Sequence, residues 1–282
     1  MNQQSLSGNI PYKELYIYYL KGHIGQKENF FDNTFLGNWE EEGFSFLFFS
    51  NPSGDTVDKL LKLQPELTLI DHYQMSYEEW LGGSLEPFQA GHFFIHPPWD
   101  VPDKKASVTN ESIDISLDPG VVFGSGKHTT TRDCLQAIEL AFSNGTIESA
   151  IDLGTGTGLL AIAAAKMGCS SVLAVDLNYL AAKTAEQNAR LNQIEHKILT
   201  IRSSAEYFLD NDTDLVIANI HYDVMKTLLS SKGFLGRKFF ILSGLFRSQA
   251  KEVASTLSGY PVSTLKKWEY DGIWHTFLGR VH

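Results

Sequence analysis

Two carboxylates bracket a glycine turn. Asp152 precedes Gly154, Gly156 and Gly158, and Asp176 closes the next apolar run, Val172 to Val175. Leu159 and Leu160 begin an apolar helical pattern directly after the glycines. Glycines take positive φ and let a backbone approach a ligand closely. An acid ending the following strand accepts hydrogen bonds from ribose hydroxyls, as in nucleotide-binding α/β sheets. The chemistry is therefore that of holding an adenosine-containing ligand. A dinucleotide requires G-x-G-x-x-G, whose glycines admit a pyrophosphate at the helix N-terminus. Leu159 stands where the third of those glycines belongs, so a nicotinamide oxidoreductase is disfavoured. Asp152 supplies an acid for a cationic amino group. Ribose and ammonium without phosphate describe S-adenosylmethionine.

To present these groups the chain must alternate strands and helices. Short apolar runs place strands at Val172–Asp176, Ile198–Arg202, Leu215–Ala218 and Phe239–Ser243, and helical spacing places helices at Leu159–Met167, Leu180–Leu191, Val224–Leu229 and Arg247–Leu257. That alternation predicts an α/β, Rossmann-like sheet, mostly parallel and covered on both faces. Val262–Trp268 and Ile273–Arg280, joined across Tyr270-Asp271-Gly272, predict an antiparallel edge hairpin. Upstream, a strand at Ile113–Leu117 runs into a glycine-rich loop, and a helix over Thr130–Phe142 carries Cys134, Leu135, Ile138 and Phe142 on one face.

Residues 1–75 read as a small α+β domain, with strands at Tyr12–Leu20, Gly43–Ser50 and Leu67–Gln74 and a helix at Asp55–Leu63. Residues 76–111 read as a connecting segment. It holds a capped helical turn, with Ser76 as N-cap and Glu79 three residues on, a strand at His92–His96, and a polar stretch from Trp99 to Ser112. Residues 112–282 form the ligand-binding domain.

The 282 residues are 43% apolar and 20% charged, with a net charge of −10. That charge argues against a nucleic-acid binder, which shows a basic face. No apolar run approaches the roughly 20 residues that span a bilayer, and the N-terminus lacks a secretory pattern. Cys134 and Cys169 read as buried thiols in a reducing cytoplasm. His92 and His96 alternate on a strand with no third ligand nearby, so no metal site is expected. The protein is expected to be cytoplasmic and monomeric, without membrane or direct nucleic-acid contact.

The glycine turn with its two acids resembles that of the class I S-adenosylmethionine-dependent methyltransferases. The stretch Asp118-Pro119-Gly120-Val121-Val122-Phe123-Gly124-Ser125-Gly126-Lys127-His128-Thr129-Thr130-Thr131 is more specific. It resembles the D-P-G-x-x-F-G-T-G-x-H-x-T-T signature of the ribosomal protein L-eleven methyltransferases. Asn219-Ile220 and Leu242-Ser243-Gly244-Leu245 are similar to that family's N-I-L-A and L-S-G-I/L stretches, and Gln89 to Trp99 to its strand before the linker. The likeness runs from about Tyr77 to the C-terminus and is only general before that.

The resemblance implies that Thr131, Gly154, Asp176 and Asn219 contact S-adenosylmethionine and that Phe123, Gly124 and Thr130 form a loop over it. Asp176 would accept from the ribose, Gly154 and Gly156 would admit the methionine part, and the Asn219 carbonyl would orient an acceptor amine. The implied activity is protein N-methylation of ribosomal protein L-eleven on lysine side chains and its α-amine, with residues 1–75 recognising the substrate. Two departures stand out. Ser125 and Lys127 differ within the loop, and Asn219-Ile220-His221-Tyr222 replaces N-I-L-A. Tyr222 reads either as the last residue of an N-x-x-Y motif, like the N-P-P-Y of methyltransferases acting on planar nitrogens, or as a local helix-starting residue. No residue stands out as a general base; His221 reads as an exposed loop histidine. Methylation of another protein or a small amine, or S-adenosylmethionine binding without catalysis, fits the same residues.

Overall fold

The structure is a computed structural model and describes residues 11–25, 30–100 and 112–282. Most of the polar stretch from Trp99 to Ser112 lies outside the described residues. The chain forms two compact units, dividing at Glu86/Pro87.

In the first unit the strands are β1 (Glu14–Lys21), β2 (Phe35–Glu41), β3 (Phe44–Phe49) and, after helix α1 (Gly54–Leu63), β4 (Thr68–Ser76). They make an antiparallel sheet in the order β2-β3-β1-β4. The apolar stripe of α1, Val57 and Leu60, packs with Leu20, Leu47 and Phe49 into one core, and each such fully buried side chain contributes about 1.5–3 kcal/mol. Helix α2 (Tyr77–Leu81) starts with the expected capping box: the Ser76 hydroxyl accepts from Glu79 N–H, and the Glu79 carboxylate accepts from Ser76 N–H at 2.7 Å. It ends at Gly82 in the left-handed region. Strand β2 is absent from the sequence-based expectation, because none of its residues is fully buried and it shows no alternation.

The second unit opens with a small sheet of β5 (Phe88–Ala90), β6 (Phe93–His96) and β7 (Ile113–Ser116). Helix α3 (Thr129–Asn144) follows the glycine-rich loop. The main sheet then contains β8 (Ser149–Leu153), β9 (Ser171–Asp176), β10 (Ile198–Arg202), β11 (Leu215–Asn219), β12 (Phe239–Phe246), β13 (Val262–Tyr270) and β14 (Trp274–Val281). Its order is β10-β9-β8-β11-β12-β14-β13, parallel except for the β13–β14 hairpin against β12. The crossovers are α4 (Leu159–Met167), α5 (Tyr179–Leu191), α6 (Tyr222–Ser230) and α7 (Arg247–Ser258).

Strands covered on both faces read as continuous apolar runs. In β11, Leu215 and Ile217 enter the core under α3 and α4, while Val216 and Ala218 enter the core under α6 and α7. The alternation is the period-2 geometry of a strand. Helix α4, LLAIAAAKM, is buried on nearly every side, as its lack of a polar face requires. This is the Rossmann-like α/β fold expected from the alternation of elements. Among the described residues no helix is long and apolar enough to cross a membrane.

Candidate active site

The functional groups gather where β8, β9, β11 and β12 end, the edge of an open α/β sheet at which ligands sit. Two glycine-rich segments meet there. Gly156 has φ +55, and a Cβ on it would lie 2.7 Å from the Phe123 carbonyl oxygen. Only glycine lets the turn after β8 and the loop before α3 pack backbone against backbone. The Thr157 hydroxyl then donates to the Gly124 carbonyl at 2.7 Å, which fixes the loop to the turn. Phe123 itself is 71% exposed at the surface of that loop.

Asparagines on α5 and just past its end complete the brace. The Asn188 amide donates to the carbonyls of Asp118 and Thr157 and accepts from Asp118 N–H, each at 2.9 Å. One turn later Asn192 pairs in the same way with the backbone of Ser116. Asp118 accepts from Gly120 N–H at 2.9 Å and is raised above the usual carboxylate range by burial. Sequence reasoning missed Asn188, Asn192 and Thr157, since nothing in the spacing of α5 announces that its polar face meets a loop some 70 residues earlier.

Asp176 ends β9, and its Oδ2 accepts from Gly156 N–H at 2.9 Å. The turn and the second acid are therefore one unit. Gly154 lies at the foot of the turn, where its N–H donates to the Val175 carbonyl at 2.8 Å, and it packs closely against Ile220, the residue after Asn219.

Asp152 requires a correction. It was expected to meet a cationic amino group, yet it is 1% exposed and turned inward. Its Oδ2 accepts from the Thr155 hydroxyl at 2.6 Å and from Ala161 N–H at 3.2 Å. Ala161 lies in the first turn of α4, whose N-cap, Gly158, has no side chain to offer. The carboxyl thus caps that helix from the neighbouring strand, at the positive end of its dipole. Burial pushes it up to about 7.

Asn219 is the last residue of β11. Its Nδ2 donates to the Thr130 hydroxyl at 3.4 Å, and that hydroxyl lies 2.7 Å from His128 Nδ1. Nδ1 also accepts from Thr130 N–H as the N-cap of α3. It is therefore the unprotonated ring nitrogen, the Thr130 proton points to it, and the Asn219 amide is oriented with Oδ1 as its remaining acceptor. Thr131 is buried in the same helical turn, its N–H donating to the His128 carbonyl at 3.1 Å. The His128 and Trp274 rings meet edge to face with their centres 5.0 Å apart, and Trp274 stacks on Phe246 at 4.6 Å. Thr130 thus meets Asn219, and Gly154 packs on the neighbouring Ile220, while Phe123, Gly124, Gly156 and Asp176 form another group at the glycine turn.

Tyr222 does not join them. It starts α6 and donates its hydroxyl to Glu252 of α7 at 2.7 Å, with Lys226 over its ring. This is the local-packing alternative, and the N-x-x-Y reading has no geometric support. His221 is exposed and lies 3.6 Å from Asp223.

The residues suit S-adenosylmethionine. An acid at a strand end, a glycine turn and an oriented amide adjoin one another, and Asp152 is turned away from them to cap α4. Residues 56–281 match the model of a family described as ribosomal protein L11 methyltransferase (PrmA). A ribosomal protein L11 methyltransferase of Desulfitobacterium hafniense is 34% identical over 223 residues, covering 77% of this chain and 69% of the relative. One from Rhodopseudomonas palustris is 34% identical over 210 residues, covering 71% and 70%. The crystal structure of a ribosomal protein L11 methylase from Lactobacillus delbrueckii subsp. bulgaricus superposes with a TM-score of 0.60 at 30% identity, covering 70% of this chain and all of that one.

Proposed function

The chain belongs to the ribosomal protein L11 methyltransferase family, and from that premise we propose that it methylates amine nitrogens of ribosomal protein L11, on lysine side chains and the α-amine. It is an S-adenosylmethionine-dependent protein methyltransferase. The bound donor supplies an electrophilic methyl group on its sulfonium; the protein supplies alignment. Asp176 would hold the ribose hydroxyls, Gly154 and Gly156 would admit the methionine part, and Thr131, Asn219 and the loop residues Phe123, Gly124 and Thr130 would contact the donor. Asn219 Oδ1 accepts an N–H of the incoming amine and aims the nitrogen lone pair. The amine must arrive neutral, and an α-amine, near about 8, is less protonated at neutral pH than a lysine, near about 10.4. Desolvation lowers either value further.

The observation that carries this reading is the Asn219 amide, fixed at a strand end by Thr130 with its carbonyl left to a substrate. The test is intact-mass measurement of purified L11 after incubation with the enzyme and S-adenosylmethionine. Methylated L11 is expected, with Asn219→Ala lowering kcat by about 100-fold, on the scale of losing one oriented polar group at a reacting centre, a larger loss than in donor affinity. L11 left unmodified while another protein of a ribosomal extract gains methyl groups would overturn the substrate.

A further inference from the structure

Strands β12 and β14 pair regularly up to Leu242 opposite Phe277 and resume at Leu245 opposite His275. Ser243 and Gly244 therefore stand against the single residue Thr276. That is a β-bulge, the device by which a strand re-aims its side chains. It lies beside the end of β11, where Ser243 is the register partner of Asn219.

Both bulge residues face the Asn219–Thr130 pair. The Ser243 hydroxyl, fully buried, lies 2.6 Å from the Thr276 hydroxyl and donates to the Thr130 carbonyl at 3.4 Å. Thr276 reaches Asp133 of α3 at 3.4 Å. The first turn of α3 is thus tied to the sheet through two hydroxyls. Gly244 has φ +79, and a Cβ on it would sit 3.0 Å from Asn219 Oδ1. A side chain there would be strained in its backbone and would press on the oxygen.

We propose that the Ser243–Gly244 bulge is a positioning device for methyl transfer: Ser243 and Thr276 hold the Thr130 turn against which the Asn219 amide is oriented, and Gly244 leaves room for the Asn219 carbonyl oxygen. The proposal rests on the reading of Asn219 as the group that orients the amine. Neither bulge residue touches the reacting atoms in this scheme, so both act through Asn219.

A double-mutant cycle on the full-length enzyme tests it, with kcat, KM for the protein substrate and donor affinity measured separately. Ser243→Ala should lower kcat about tenfold with donor affinity unchanged, and should have almost no further effect in an Asn219→Ala background. Thr276→Val should behave like Ser243→Ala, while Thr276→Ser, which keeps the hydroxyl, recovers most of the lost rate. Gly244→Ala should lower kcat further. If that variant fails to fold, the Ser243 cycle decides alone. Ser243→Ala at full rate, or an equal tenfold loss in both backgrounds, would overturn the proposal. An Asn219→Ala enzyme at full rate would instead remove the reading of Asn219 on which it rests.

Discussion

Asp152 makes a prediction that can be worked from structure to number. The carboxyl is 1% exposed, and burial lifts it from 3.8 to about 7. A carboxyl with a raised folded-state value keeps its proton better folded than unfolded. Its contribution to stability is complete below about 3.8 and is lost as pH rises toward about 7. Integrated between about pH 5 and pH 8, one such group costs about 2–3 kcal/mol, and its burial leaves little solvent screening to reduce that figure. Asp152→Asn keeps a carbonyl for the Thr155 hydroxyl and Ala161 N–H but cannot ionise. Urea unfolding of both proteins at the two pH values isolates the effect, because every other titrating group is shared. The unfolding free energy of the Asn variant should gain about 2–3 kcal/mol on the wild type from the lower to the higher pH. An equal gap at both would refute the account of Asp152 as a buried carboxyl that caps α4 and resists ionisation.

Two further outcomes follow from the site. Asp176→Ala should weaken S-adenosylmethionine binding by roughly 10- to 100-fold, the worth of charge-assisted hydrogen bonds, while the protein stays folded; calorimetry with unchanged affinity would remove Asp176 from the donor site. Tyr222→Phe removes only the hydroxyl that meets Glu252, so stability should fall by about 1 kcal/mol or less and the methylation rate should not change. A large loss of rate in that variant would reopen the N-x-x-Y reading.

The elements of the main sheet were legible because their periods are strong. Leu215 to Ala218 is apolar on both faces, and the residues of α4 can only be a buried helix. Strand β2 was illegible for the opposite reason: Phe35 to Glu41 has neither alternation nor a fully buried side chain, and its register with β3 shifts between Phe35 and Gly37. In the site, spacing identified the residues but not the directions in which they point. Asp152 looked like a ligand because it adjoins the glycines. In β8, however, Ile151 and Leu153 face the α6–α7 core, so Asp152 must face the other side, toward the start of α4. Asn188 shows the complementary limit. Its two carbonyl partners, Asp118 and Thr157, are far apart in sequence and adjacent only once the sheet has formed.

The contacts behind the bulge also have a proton inventory. Thr276 and Ser243 bring two hydroxyl protons to three contacts, with Asp133, with each other and with the Thr130 carbonyl, which can only accept. With Asp133 ionised, one contact must lack a proton. With Asp133 protonated, the acid donates to Thr276, Thr276 to Ser243 and Ser243 to Thr130, and all three are filled. Burial raises Asp133 above the usual carboxylate range, against the pull of Lys266 and of the Thr276 hydrogen bond. As the structure places them, Thr276 donates to Asp133 at 3.4 Å, which leaves the single Ser243 proton to be shared between Thr276 and the Thr130 carbonyl, so the ties that hold the first turn of α3 beside Asn219 depend on the charge of a half-buried acid.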